Sequence, residues 1–467
     1  MNKSLLIVLT GIGLVLGGCS LAPKYHKPEV PVPAHWPAGP AYDKISPNGP
    51  AAAELKWREF FADGRLQKII ETALDNNRDL RLAALNVERA RAIYGIQRAE
   101  LYPAVDAQGV GGKQRQSVDL IQPGSARTQR QYSVDLGIAV WEIDFFGRIR
   151  SLSDQALEEY LATDEARRGA RIALVAEVAR VYLTLAADRE NLKLAQNALE
   201  TQHASYGLVK KRYGVGLATE LDLKRAQIPL DTARGDVARF TQLLAQDQNA
   251  LTLLAGAPVP DELLPVDLSR ATSPKEISAS LSSEVLLQRP DIMAAEHRLK
   301  GAYASIGAAR AALFPRISLT TSIGTASNQL SRLFDSGTGT WAFIPQFVMP
   351  VFDARVWAAL RVSETDRKIV LTQYEKTIQT AFREVADALA VQGTIDEQVA
   401  AQQSLVAAAA DTYRLSMNRY TKGIDSYLGV LDAQRSQFAA QQGFVALRLA
   451  KLANQVRLYA VLGGGGE

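Results

Sequence analysis

Side chains able to do chemistry gather at two places, Arg212-Tyr213-x-x-Gly216 and Arg419-Tyr420-x-x-Gly423, and in the stretches after them, where Leu221 and Arg225 stand in for Leu428 and Asp432. These groups act through charge and hydrogen bonding. Asp432 and Arg435 lie three apart, so on one helix they make a surface ion pair worth a few tenths of a kcal/mol. Nothing provides for covalent catalysis. His26, His35, His203 and His297 are scattered, none at the i, i+4 spacing of a helical metal pair, so neither a metal nor a cofactor is expected. Gly109-Val110-Gly111-Gly112 reads as strand and Gly214-x-Gly216 as a helix turn, and neither opens a helix after a buried strand as a nucleotide site does. With no nucleophile elbow and no phosphate loop, an enzyme is not expected.

One residue does invite covalent modification. Lys3 precedes an apolar run from Leu5 to Leu16, the length of a signal-peptide core and too short to span a bilayer as a helix. The run ends in Leu16-Gly17-Gly18-Cys19, which resembles a bacterial lipobox, in which cleavage precedes the cysteine and lipid is attached to it. Cys19 is the only cysteine, so it makes no internal disulfide, and its position marks it as the lipid attachment point after a signal peptide over 1–18. Such lipid tethers a protein to a membrane without spanning it.

The elements that must position the paired turns come twice. Asp79 to Pro103 aligns without a gap on Asp291 to Pro315, with 9 of 25 positions identical, and Tyr206 to Gln227 aligns on Tyr413 to Gln434 with 8 of 22 identical. Each half should therefore build the same order of helices and strands about a pseudo-symmetry axis. The expected organisation is an extended, proline-rich arm over 19–62, a first repeat over 63–256, a linker over 257–282 and a second repeat over 283–467. Arg148 to Tyr213 holds no proline and only Gly169 and Gly207; as helix it would reach roughly 100 Å, as would Arg355 to Tyr420. Helices of that length must line up as a bundle or tube. Gly216 and Gly423 follow them where a left-handed cap would reverse the chain. Pro229, inside the helix after the first turn, should bend it, and its repeat partner is Ser436.

Between the helices the period changes from helical to alternating. Tyr132, Val134, Leu136, Ile138 and Val140 fall on one face, with Ser133, Asp135, Gly137 and Ala139 on the other; Ile317, Leu319 and Ile323 likewise oppose Ser318, Thr320 and Ser322. Strands are expected at about 104–118, 130–144, 315–326 and 340–352, the last weakened by Pro345 and Pro350. One apolar face, one polar face and aromatics at the ends match a transmembrane barrel wall with a wet lumen. Four strands cannot enclose a lumen, so several chains must contribute. Outside the signal no run is apolar for about 18 residues, so a membrane crossing must use strands. The net charge of +4, from 53 basic and 49 acidic residues interspersed, gives no reason to expect nucleic acid.

The lipobox, the doubled helix-strand-strand-helix order, both Arg-Tyr-x-x-Gly turns, Asp432-Ala433-Gln434-Arg435 and the closing Leu462-Gly463-Gly464 together resemble the TolC-type outer-membrane efflux channels, in their OprM-like lipoprotein branch. The resemblance covers essentially the whole chain. It implies a mainly α fold with a transmembrane part, three chains forming a twelve-stranded β-barrel continued by a twelve-helix α-barrel tunnel across the periplasm. It implies an outer-membrane channel of a tripartite efflux pump for antibiotics, solvents or other toxic small molecules. The partners implied are a periplasmic membrane-fusion adaptor, an inner-membrane resistance-nodulation-division-type pump and outer-membrane lipid. Carried over by position, Leu428 and Asp432 match the constriction of an iris-like gate. Tyr420, Asp425 and Arg435 surround it, Leu221 and Arg225 are the first-repeat counterparts, and the turns of Arg212, Tyr213, Gly216, Arg419 and Gly423 dock the adaptor. A pairing of Arg225 with Asp432 is expected to latch the closed state. The rival reading is a lipid-anchored periplasmic coiled-coil adaptor or scaffold, which leaves the alternating segments without a purpose; a type I protein-secretion duct is the alternative within the channel class.

Overall fold

The computed structural model describes residues 20–43, 52, 55–122, 124, 126–268, 274–275 and 282–465. The signal segment and Cys19 lie outside them. After a single helical turn at Trp57–Phe60, the elements are α1 (Gly64–Asn76), α2 (Arg78–Ala99), β1 (Asp106–Arg115), β2 (Thr128–Glu142), α3 (Arg148–Gly214), α4 (Glu220–Ala255), α5 (Pro290–Ala311), β3 (Arg316–Ser327), β4 (Gly339–Val348), α6 (Ala354–Thr421) and α7 (Tyr427–Val461). They fall into two compact units, one of Met1–Glu29, Asn86–Thr163 and Ala294–Tyr374, the other of Val30–Leu85, Asp164–Met293 and Glu375–Glu467.

The first unit holds the sheet, ordered β1-β2-β3-β4 with every neighbour antiparallel. Directly opposed residues share a face. Opposition of Val134 to Thr325, Leu136 to Ile323 and Ile323 to Trp341 therefore gathers one apolar face, which Phe343 and Phe347 extend. It is open to solvent in the single chain: Leu136 is 52% exposed, Trp341 80% and Phe347 65%. The other face carries Gln108, Ser133, Asp135, Ser318, Ser322 and Gln346. The simple alternation fails once. A bulge between Ile138 and Trp141 sets Ala139 and Val140 against Thr320, whose hydroxyl donates to the Ala139 carbonyl at 2.7 Å. Trp141, not Val140, thereby continues the apolar row. β4 passes through Pro345 and ends at Val348; as an outer strand of the sheet it tolerates a residue without an N–H.

Where strand becomes helix, Asp144 accepts from the Ile149 and Arg150 amides at 3.1 and 2.9 Å, satisfying donors at the start of α3. Beside it Glu142 accepts from Arg148 Nε and one terminal nitrogen, each at 2.8 Å, and lies 3.5 Å from Arg316. The arm is held against α5. Tyr25 donates to Glu296 at 3.2 Å and meets the Tyr303 ring edge-on at 5.6 Å, while Lys300 sits 5.4 Å over the Tyr25 ring. Ala22 crosses Gly307 so closely that a Cβ there would lie 2.7 Å from the Ala22 Cβ, which only glycine avoids.

The second unit is cored by aromatics from distant parts of the chain. Tyr459 of α7 stacks on Phe60 at 4.0 Å between ring centres and meets Phe61 edge-on, with Trp57, Ile69, Ile70, Leu185 and Leu251 also buried. Alanines at 179, 186 and 187 of α3 and at 381 and 388 of α6 are buried and let the long helices pack closely. Arg289 closes the end of α7, donating to the Val461 carbonyl at 2.7 Å while held by Asp291 and Glu384. No helix among the described residues is long and apolar enough to cross a membrane.

Candidate functional site at the paired helical turns

Both long helices of the second unit end in one motif. Leu217 N–H donates to Arg212 C=O at 2.8 Å and Gly216 N–H to Tyr213 C=O at 3.0 Å; in the second repeat Ile424 donates to Arg419 and Gly423 to Tyr420, both at 2.9 Å. These are Schellman closures, and Gly216 at φ 77° and Gly423 at φ 74° occupy the left-handed position they require. Beyond the closures the repeats diverge. Thr219 and Asp222 form a reciprocal capping box that starts α4. Ser426, the counterpart of Thr219, makes no side-chain cap; the second turn is instead braced by Arg419, which grips Asp425 with two hydrogen bonds of 2.5 and 3.2 Å. The first repeat has Ala218 at that position. Hydrogen bonds hold both carboxyls below their usual range, from the Thr219 hydroxyl for Asp222 and from the Arg419 guanidinium for Asp425.

The two turns are joined. Arg212 donates to the Tyr420 hydroxyl at 2.9 Å, its guanidinium carbon 5.9 Å from the ring centre, and Tyr420 in turn lies 5.0 Å from the Tyr427 ring. Tyr427 carries no warning in the sequence, because nothing in the repeat pattern points to it. Val215, Leu217, Leu221, Ile424 and Leu428 are all exposed, so the turns present an apolar tip, and Tyr213 is partly exposed beside them.

Further along the same helices a cavity of about 380 Å³ is lined by Arg225, Pro229, Leu428, Asp432, Arg435 and Phe438, among others. Five of the residues singled out in the sequence, Arg225, Pro229, Leu428, Asp432 and Arg435, thus share one lining, while Leu221, Tyr420 and Asp425 stay outside it. Asp432 accepts from Arg435 at 2.6 Å. Within this chain Asp432 therefore takes the partner on its own helix in preference to the expected Arg225, which faces the same cavity. Pro229 lies within α4 and cannot return a hydrogen bond to the Arg225 carbonyl. Gln202 and Gln434 also line the space, both buried, and the side-chain oxygen of each has no hydrogen-bond partner. Sequence gave no sign of them, since a buried glutamine reads like any surface one. No group of three or more His, Cys, Asp or Glu side chains able to hold a metal occurs among the described residues.

Residues 69–257 and 281–464 match the outer membrane efflux protein family, one match to each half of the duplication. The chain belongs to that family. It is 49% identical over 467 residues to the toluene efflux pump outer membrane protein TtgC of Pseudomonas putida, covering 100% of this chain and 96% of that one. It is 41% identical over 458 residues to the outer membrane protein OprJ of Pseudomonas aeruginosa, covering 97% and 94%. Among solved structures, the open state of the Neisseria gonorrhoeae MtrE outer membrane channel superposes with a TM-score of 0.86 at 38% identity, covering 96% of this chain and 99% of that one. As an outer membrane efflux protein the chain is a transport channel of the outer membrane, the exit component of an efflux pump.

Proposed function

We propose that three copies of this chain close a channel whose periplasmic tip is gated by the two helical turns. The observation that carries the reading is the pair of free sheet edges. β1 and β4 each have a strand on one side only, and every residue of β1 is exposed. A membrane tolerates no unpaired edge, so β1 of one copy must meet β4 of the next, and three four-stranded sheets give a closed wall of twelve strands. The polar face then lines the lumen and the apolar face meets lipid.

The gate follows from threefold symmetry. One Leu428 per copy makes an apolar ring and one Asp432 a ring of carboxylates, whose mutual repulsion favours opening unless cations bridge it. Arg212–Tyr420 and Arg419–Asp425 hold each tip in one conformation, and the exposed Val215, Leu217 and Ile424 give a helical adaptor an apolar docking surface. The cargo is small and toxic, such as antibiotics or solvents, delivered by an inner-membrane pump of the resistance-nodulation-division type through that adaptor. Cys19 carries the lipid that anchors the arm. The decisive experiment reconstitutes the purified chain in a planar bilayer. Trimers that raise conductance in discrete steps support the channel; a protein that stays off the bilayer and leaves conductance unchanged is a scaffold and overturns it.

A further inference from the structure

The two ends of the sheet treat their charges differently. At the helix end Glu142 neutralises Arg148 and Arg316. At the hairpin end Lys113 lies directly opposite Arg130, and Arg115 opposite Thr128. Like charges directly opposed destabilise a sheet, so the arrangement calls for a partner. None of the three cations makes an ion pair with a described residue, and the connecting loop offers one carboxylate, Asp119, against a further cation, Arg127. Asp106 and Asp135 are opposed to Gly137 and Gln108 and so belong to the other face.

The register fixes where these cations point. Lys113–Arg130, Gly111–Tyr132, Gly109–Val134 and Ala107–Leu136 are successive pairs on one face, the apolar one. Lys113, Arg115 and Arg130 therefore project outward just past Tyr132, the last aromatic of the apolar band. β2 finds β3 partners only from Tyr132 onward, so Thr128–Gln131 carry the hairpin about 13 Å beyond the end of β3 at roughly 3.3 Å per residue. All of these residues are exposed.

We infer that Lys113, Arg115 and Arg130 form a docking site for a phosphate-bearing lipid headgroup at the outer rim of the barrel wall, a reading that rests on the sheet being that wall. Aromatics mark the level at which a barrel leaves the hydrocarbon, and cations immediately beyond them stand at the level of lipid phosphates. Two guanidinium groups and an ammonium offer the bidentate and point-charge contacts that phosphate takes best. Phosphate there also removes the repulsion between Lys113 and Arg130. A neutral headgroup does neither.

The test uses the full-length trimer in nanodiscs of neutral phosphatidylcholine doped with diphosphorylated lipid A, with retained lipid counted by native mass spectrometry and channel conductance recorded on the same preparations. The Lys113→Gln, Arg115→Gln, Arg130→Gln triple variant should lose at least about ten-fold in lipid A retention while still conducting, given the roughly 1 kcal/mol that each surface cation contributes. A swap that keeps charge (Lys113→Arg, Arg115→Lys, Arg130→Lys) should stay within about two-fold of the wild type, and dephosphorylated lipid A should bind the wild type as weakly as lipid A binds the triple Gln variant. Equal retention by wild type and triple variant overturns the site, as does complete displacement of lipid A by millimolar inorganic phosphate, which points to a soluble anion. A wild type that retains lipid A but never conducts leaves the site standing and sinks the channel reading.

Discussion

Arg212 reaches from the first helical turn to the hydroxyl of Tyr420 at 2.9 Å, joining residues 208 apart in the chain at equivalent ends of the two repeats. It is a bond between the halves, so the tips of one chain cannot separate without breaking it. Under the proposed gate, Tyr420→Phe should raise the open-to-closed ratio by about two- to ten-fold, the equivalent of one hydrogen bond of about 0.5–1.5 kcal/mol. Arg212→Ala should do the same. The double variant should add little to either, and single-channel recordings giving fully additive effects would show that the bond is not part of the latch.

Asp425 makes the second turn acid-sensitive in a definite direction. The hydrogen bond from Arg419 lowers its folded-state pKa below the unfolded value of about 3.9, so the bridge contributes stability above that value, and the contribution is lost as pH falls through the lower folded-state value. Hydrogen exchange at Ile424 and Gly423 should be equally protected from about pH 8 to pH 5, after intrinsic rates are corrected, and should loosen only below about pH 4. In Asp425→Asn the turn should be loose throughout, with that acid step gone. Loosening between pH 7 and 5 in the wild type would assign control to another group.

Much of this site is legible in the amino-acid sequence. Period-two alternation in Tyr132–Ile138 marks a strand with two different faces, and a glycine after a long proline-free helix marks a left-handed cap; both signals are local. What could not be read is set by contacts distant in sequence. The bulge at Ala139–Val140 exists only in the register with Thr320, so the strand's own pattern runs on through it. The Arg212–Tyr420 bond depends on how two hairpins lean together. Arg225 and Asp432 were matched by their repeat positions, but Asp432 bonds Arg435 because a partner one turn along its own helix is already within reach.

Asp247 of α4 is a place where the helical packing holds back stability at neutral pH. Burial, and then repulsion from Asp188 on α3, push its carboxyl up to about 6. A carboxyl raised in the folded state contributes most below its unfolded value near 3.9, and the contribution disappears as pH rises through about 6. Asp247→Asn should therefore stabilise the protein at pH 8 by about 1 kcal/mol, discounted for partial solvent screening, and by about half as much at pH 5, where the unfolded carboxyl is still ionised. Thermal melts of helical circular dichroism at the two pH values make the comparison. A gain of the same size at both would trace the effect to packing, not to charge.

Gly307→Ala tests how the arm is held. The added methyl would stand 2.6 Å from Ser151 Oγ, 2.7 Å from Ala22 Cβ and 2.9 Å from its Cα; the Ser151 hydroxyl can turn aside, but the contact with Ala22 is relieved by lifting the arm from α5. Alanine otherwise favours the helix by roughly 0.5–1 kcal/mol, so α5 itself should not weaken. Trypsin should cut the variant after Lys24 well before it cuts the wild type, with helix content unchanged. If both resist equally, the arm depends on Tyr25, Glu296 and Tyr303, and the contact at Gly307 is dispensable.

Asp432 offers the sharpest test of the gate, because its two substitutions separate charge from size. Asp432→Asn keeps the volume and removes the charge, whereas Asp432→Glu keeps the charge and moves it outward by about one methylene. If a ring of carboxylates sets passage, Asp432→Asn should lower cation-over-anion selectivity in bilayer recordings and Asp432→Glu should preserve it. Arg435 then becomes informative. It neutralises Asp432 within each chain at 2.6 Å, so Arg435→Ala should strengthen the ring's negative charge and raise cation selectivity above the wild type. If Asp432→Asn and Arg435→Ala both leave selectivity unchanged, the pair is a surface bridge of a few tenths of a kcal/mol, and the constriction rests on Leu428 alone.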